Sequence, residues 1–171
     1  FKVSDGTDYS ASAYTLTVTV TAVNDTPTRT AGSLTSITTT EDAANSSAVT
    51  LGLSSVTYGP GGGTDESSQT LTYTITAIPS FIKLYKADGT TEVTASTAVT
   101  ATELQGLKYK TIADANGTGS ITWTVTDNGT TNGASDPKTL TESLSVTVTA
   151  VNDAPTSTDD SVTTSEDTAV V

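Results

Sequence analysis

Ser143-Leu144-Ser145-Val146-Thr147-Val148-Thr149-Ala150-Val151-Asn152-Asp153-Ala154-Pro155 is the stretch on which the fold turns. Leu144, Val146 and Val148 alternate with Ser143, Ser145 and Thr147. A period of two puts one set on a core and the other in water, the habit of an antiparallel sheet. Asn-Asp-x-Pro then stops the strand, because proline donates no ladder hydrogen bond. The same alternation sets Leu71, Tyr73 and Ile75 against Thr70, Thr72, Thr74 and Thr76, and Ile121, Trp123 and Val125 against Thr122, Thr124 and Thr126. These strands predict an inward face of Tyr73, Ile75, Ile121, Trp123, Val125, Leu144, Val146 and Val148.

Working outward, Gly and Pro separate the strands at Tyr58-Gly59-Pro60-Gly61-Gly62-Gly63, Ile78-Pro79, Ala87-Asp88-Gly89, Asn116-Gly117 and Asp127-Asn128-Gly129. Only Thr100 to Leu107 reads as a helical turn, with Thr100 as cap, Glu103 three residues on and Gly106 as stop. About seven strands in one unit predict an all-β fold, an antiparallel β-sandwich of the Ig-like Greek-key kind.

The quoted stretch has a twin. Thr17-Val18-Thr19-Val20-Thr21-Ala22-Val23-Asn24-Asp25-Thr26-Pro27-Thr28 precedes Ser145 to Thr156 by 128 residues. Collinear echoes flank it: Thr40-Glu41-Asp42 with Ser165-Glu166-Asp167, and Phe1-Lys2-Val3-Ser4-Asp5-Gly6 with the segment from Trp123 to Gly129. Self-similarity at a domain-sized period predicts tandem repeats. Residues 1–26 then read as the last strands of one repeat, 27–154 as one complete repeat, and 155–171 as the start of another.

Composition narrows the functions. The 171 residues carry 7 Lys+Arg against 19 Asp+Glu, a net charge of −12, and about a quarter are Thr. Threonine keeps a β-branched backbone preference while staying polar. Without Cys there are no disulfides, thiol nucleophiles or thiolate metal sites, and without His the commonest general base is missing. A pI of 4.1 argues against nucleic acid. No apolar run is long enough for a membrane span. The expectation is a non-enzyme.

The repeat resembles the bacterial cadherin-like tandem repeats of very large secreted adhesins. The residues that carry the resemblance are Thr40-Glu41-Asp42, Asp65 ahead of Leu71-Thr72-Tyr73-Thr74-Ile75, Ala115-Asn116-Gly117, Val125-Thr126-Asp127-Asn128-Gly129 and Val151-Asn152-Asp153-Ala154-Pro155. It implies Ca²⁺ at the junctions between repeats. One junction would draw Asn24, Asp25, Asp65, Glu66 and Asp127. The other would draw Asn152 and Asp153 with Glu41 and Asp42, its remaining ligands lying beyond Val171. The chemistry suits the ion, which takes six to eight hard oxygens, and clustered carboxylates repel unless a cation sits among them. The plainer reading of Asn-Asp-x-Pro is turn chemistry. The Asp-Arg-Glu element of vertebrate cadherins is absent and the linker lacks an acidic residue before valine, which implies fewer or weaker ions.

The leading functional expectation is a structural extender in a bacterial cell-surface adhesin or extracellular fibre. Its partners would be neighbouring repeats, with lateral or head-to-tail self-association. The alternative is a carbohydrate- or protein-binding module, for which Tyr58, Tyr85 and Tyr109 would be the stacking aromatics. A glycosidase would need a carboxylate pair at a telling spacing, which the sequence does not show. Ice binding would need a regular Thr-x-Thr ladder, and ordinary strand alternation accounts for the threonines.

Overall fold

The computed structural model describes residues 1–41, 47–163 and 165–166. Its strands are β1 (Thr28–Ala31), β2 (Ile37–Thr40), β3 (Val49–Thr50), β4 (Thr57–Gly59), β5 (Thr72–Ala77), β6 (Ile82–Tyr85), β7 (Glu92–Val93), β8 (Ala98–Val99), β9 (Lys108–Thr111), β10 (Gly117–Thr126), β11 (Thr130–Thr131), β12 (Ala134–Ser135) and β13 (Thr139–Thr149). Among the described residues, helix is confined to α1 (Ala101–Gln105) and a 3-10 turn over Thr64–Glu66. The protein is all-β, and its two main sheets form a sandwich.

One sheet has the order β2-β13-β10-β5-β8 and the other β3-β9-β6-β7. The long antiparallel pair β10–β13 runs from Gly117↔Val148 to Thr126↔Thr139 and forms the spine. The eight residues expected to face inward are all buried, with Ile75, Ile121, Trp123, Val125 and Val146 wholly inaccessible. Their outward neighbours are hydroxyl-bearing, as the alternation requires. One pairing departs from the antiparallel expectation: β2 joins β13 in parallel, Val146↔Ile37 to Thr149↔Thr40. Both strands lead toward the same end of the sandwich, a direction that side-chain alternation alone does not encode.

The other half of the core comes from short segments: Leu51, Leu53 and Val56 between strands, Ile82 and Leu84 on β6, Val93, Val99, Tyr109, and Leu104 and Leu107 around α1. Thr100 caps α1 with the full reciprocal capping box: its hydroxyl accepts from the Glu103 amide, and the Glu103 carboxylate accepts from the Thr100 amide. Gly106 ends the helix. Buried Trp123 donates its indole N–H to the Tyr58 hydroxyl at 3.1 Å, and burial pushes that phenol up to about 12. Arg29 pairs with Glu142 at 3.3 Å, which explains an acidic residue on the Trp123 side of β13.

Residues 1–26 form no strand of either sheet. Ser4 bridges to Tyr9, and the amide of Tyr14 donates to the carbonyl of Phe1, making a small ribbon. Asn132 takes the carbonyl of Ala22 at the turn joining β11 to β12. Residues 150–163 likewise form no strand.

Candidate metal centre

Asn24 is the first residue of the N-terminal stretch to enter the sandwich, and it is only 4% exposed. Its side-chain amide donates to Asp127 Oδ1 and to the Asp136 carbonyl, both at 2.8 Å. Its amide oxygen accepts from Gln69 Nε2 at 2.7 Å, and its backbone amide donates to the Thr131 hydroxyl at 2.9 Å. A Cβ on Gly129 would overlap the Asn24 amide, so the socket exists only because residue 129 is glycine. Asp25 follows, donating its backbone amide to Glu66 Oε1 at 2.6 Å.

Asp127 holds the loop after β10 in place. Its Oδ1 accepts from Asn24, from the Gly129 amide at 2.9 Å and from the Lys138 amide at 3.0 Å. The facing loop carries the 3-10 turn with Asp65 and Glu66, and Glu66 is 2% exposed. A Cβ on Gly62 would fall 2.6 Å from Asp25 Oδ2 and 2.7 Å from Glu66 Oε2, so these two carboxylates converge on one spot. Beside them lies a cavity of about 250 Å³ lined by Asp65, Glu66, Gln69 and Gly129, among others.

Three buried oxygens here have no hydrogen-bond partner: Glu66 Oε2, Gln69 Oε1 and Asp127 Oδ2. All are acceptors, and two belong to carboxylates. Leaving such groups buried and unpartnered is costly, and native proteins satisfy nearly all of them. The ion pairs among the described residues lie elsewhere, the nearest being Lys138 with Asp136 at 2.8 Å. Lys138 and the Thr131 hydroxyl hold Asp136 below the usual carboxylate range. Among the described residues no three acidic side chains make a ready metal cage. Hard oxygens from two carboxylates and an amide nonetheless fit a calcium-type donor set.

The other end of the sandwich is built differently. Glu41 is 3% exposed, and both its carboxylate oxygens have partners: Oε1 accepts from the Val151 amide at 2.8 Å and Oε2 from Asn116 Nδ2 at 3.1 Å. Its backbone is tied to Thr149 and Thr111 as well. Glu41 therefore staples the exit of β13 to the loop before β10. Asn152 and Asp153 are exposed, and Asn152 Nδ2 reaches only the Asp153 carbonyl, at 3.4 Å. Asp42 lies outside the described residues.

Of the expected ligands, the structure thus gathers Asn24, Asp25, Glu66 and Asp127, with Asp65 at the cavity edge. Sequence reasoning missed Gln69, Thr131 and Asp136. Nothing around Gln69 marks it, since a lone amide in a polar loop is ordinary. The tyrosines weighed for sugar stacking turn inward or pair locally: Tyr109 is buried, Tyr58 serves Trp123, and Lys110 lies 5.1 Å over the Tyr85 ring. No family model, no curated protein and no solved structure matches the chain.

Proposed function

We propose that the sandwich is a structural extender repeat of a cell-surface or extracellular fibre, its linker held rigidly to its loop end and reinforced there by Ca²⁺. The observation that carries this reading is the docking of Asn24. A linker residue with every polar atom of its side chain bonded to the loops beyond it fixes the direction of the chain that precedes it. Rigid joints suit a spacer, whose work is length and stiffness. The 11 residues of β13 extend roughly 36 Å at about 3.3 Å per residue.

Glu66, Asp127 and Gln69 would hold the ion through the three oxygens that lack partners, with Asp25 and Asp65 at hand. The bound cation would supply positive charge that neutralises carboxylates drawn from both sides of the joint. Tandem repetition gains support from the twin segments: Leu16, Val18 and Val20 are 76%, 75% and 89% exposed, while Leu144, Val146 and Val148 are at most 2%. Residues 14–20 carry the face of an interior strand, as the closing strand of a preceding cadherin-like repeat would.

The test is melting and small-angle scattering of the chain in calcium and in chelator. Extracellular calcium modules bind at about 10⁻⁴–10⁻³ M. A tenfold excess over Kd stabilises by about 1.4 kcal/mol, raising Tm by roughly 3–6 °C for a chain of this size. The radius of gyration should settle at one value with calcium and vary with temperature in chelator. Identical melting and scattering under both conditions would leave the hydrogen-bonded socket as the sole lock and remove the metal from the account.

A further inference from the structure

Every outward residue of β10 and β13 beyond Gly117 bears a hydroxyl, and none of them is buried. Register places them in rows across the sheet, such as Thr72–Thr126–Thr139 and Thr74–Thr124–Thr141. The outward positions of β2 extend the pattern with Thr38 and Thr40. Neighbouring hydroxyls bond across strands: Thr126 with Thr139 at 2.9 Å and Thr76 with Thr122 at 2.7 Å. Those bonds restrict the threonine rotamers.

This face carries no charge, although the chain has 26 charged side chains. Exposed protein surfaces ordinarily carry interspersed charges that keep copies apart. For a chain of net charge −12, a second copy meets least repulsion where charge is missing. The five strands, long only at β10 and β13, give a face of roughly 500 Å² at about 3.3 Å rise and about 4.8 Å spacing. Pairing two such faces over their full extent buries about 1,000 Å², the lower bound for a specific but weak interface.

We infer that the hydroxyl face of the five-stranded sheet is a lateral docking surface for a second copy of this chain, the two sheets stacked about a two-fold axis. Stacked sheets lie about 10 Å apart, which suits interleaved threonine side chains. A self-complementary patch closes as a pair and does not grow indefinitely. Between adjacent fibres, many weak pairs would add by multivalency and bundle the fibres side by side.

Sedimentation equilibrium of the full chain over a wide concentration range tests this. The weight-average mass should climb from 17.3 kDa toward double that value. Thr124→Glu with Ser145→Glu, two positions not opposite each other, should hold the mass at the monomer value without altering the melting curve. Mixing that variant with one bearing Thr124→Lys and Ser145→Lys should restore pairing, which keeps the test valid if either variant alone folds poorly. Val18→Glu with Val20→Glu, on the exposed apolar segment after the N-terminal ribbon, should leave pairing intact. A wild-type chain that stays monomeric throughout overturns the inference, as does pairing abolished only by the Val18 and Val20 variant. A monomer that instead partitions into growing ice would assign the face to a water lattice and equally overturn it.

Discussion

The twin segments Leu16–Pro27 and Leu144–Pro155 share nearly one sequence and have opposite environments. Leu144, Val146 and Val148 sit in the core, while their counterparts Leu16, Val18 and Val20 stand in water. Four residues beyond Val20 and Val148 the contrast reverses, because Asn24 is buried and Asn152 is exposed. Alternation therefore specifies a face, and neighbouring elements decide whether that face is covered. In the same way Asn-Asp-x-Pro supplies a plug, and the loop beyond it decides whether the plug finds a socket.

The sharpest way to break the comparison is to truncate both twins. Leu144→Ala should cost about 2–5 kcal/mol in denaturant melting, through lost burial and a residual cavity. Leu16→Ala should stay within about 0.5 kcal/mol. Equal costs would mean that the N-terminal segment around Leu16 shares the core.

A second pair compares the plugs. Asn24→Ala leaves Gln69 Nε2 and the Asp136 carbonyl without the partner they now have. It should cost about 1–3 kcal/mol, whereas Asn152→Ala should fall within about 0.5 kcal/mol. Gly129→Ala approaches the same socket from the wall. Its methyl would displace the Asn24 side chain, at about 1–3 kcal/mol, and combining it with Asn24→Ala should be far less than additive. Additive losses would place the two residues in separate structures.

The smallest effect belongs to α1. Lys86 at 2.7 Å and the Thr100 amide hold the Glu103 carboxyl down at about 2. A depressed folded value contributes stability that is fully present above the unfolded carboxylate pKa and is lost as pH falls toward 2. Glu103→Gln should therefore lower the melting temperature slightly at neutral pH, meet the wild-type value near pH 2, and so flatten the profile between about pH 4.5 and 2. An unaltered acid limb would show that the capping box carries no linkage.

Much of the fold was legible. The three alternating runs around Ile75, Trp123 and Val146 are long enough for a period to declare itself, and the Thr100–Glu103 cap is a local signature. The second sheet was not legible, because two-residue strands such as Glu92–Val93 and Val49–Thr50 are too short for any period. The parallel pairing of β2 with β13 joins residues over a hundred positions apart, with no turn to announce it. At the candidate site, Asp127 and Gly129 stood out through strand-end position and turn chemistry. Gln69 and Asp136 act through contacts with Asn24 that only folding creates, and Glu41 gave no sign that its own unit would satisfy it.

The claim that one end of the sandwich is a cation-reinforced joint and the other a closed staple is tested most directly by amide chemical shifts during a calcium titration. Saturable shifts are expected only at residues 24–25, 61–69 and 127–131, with residues 150–153 and Glu41 unmoved. Those shifts should vanish when Glu66→Gln is combined with Asp127→Asn. Shifts centred on 150–153 and Glu41, or none anywhere at millimolar calcium, would contradict it.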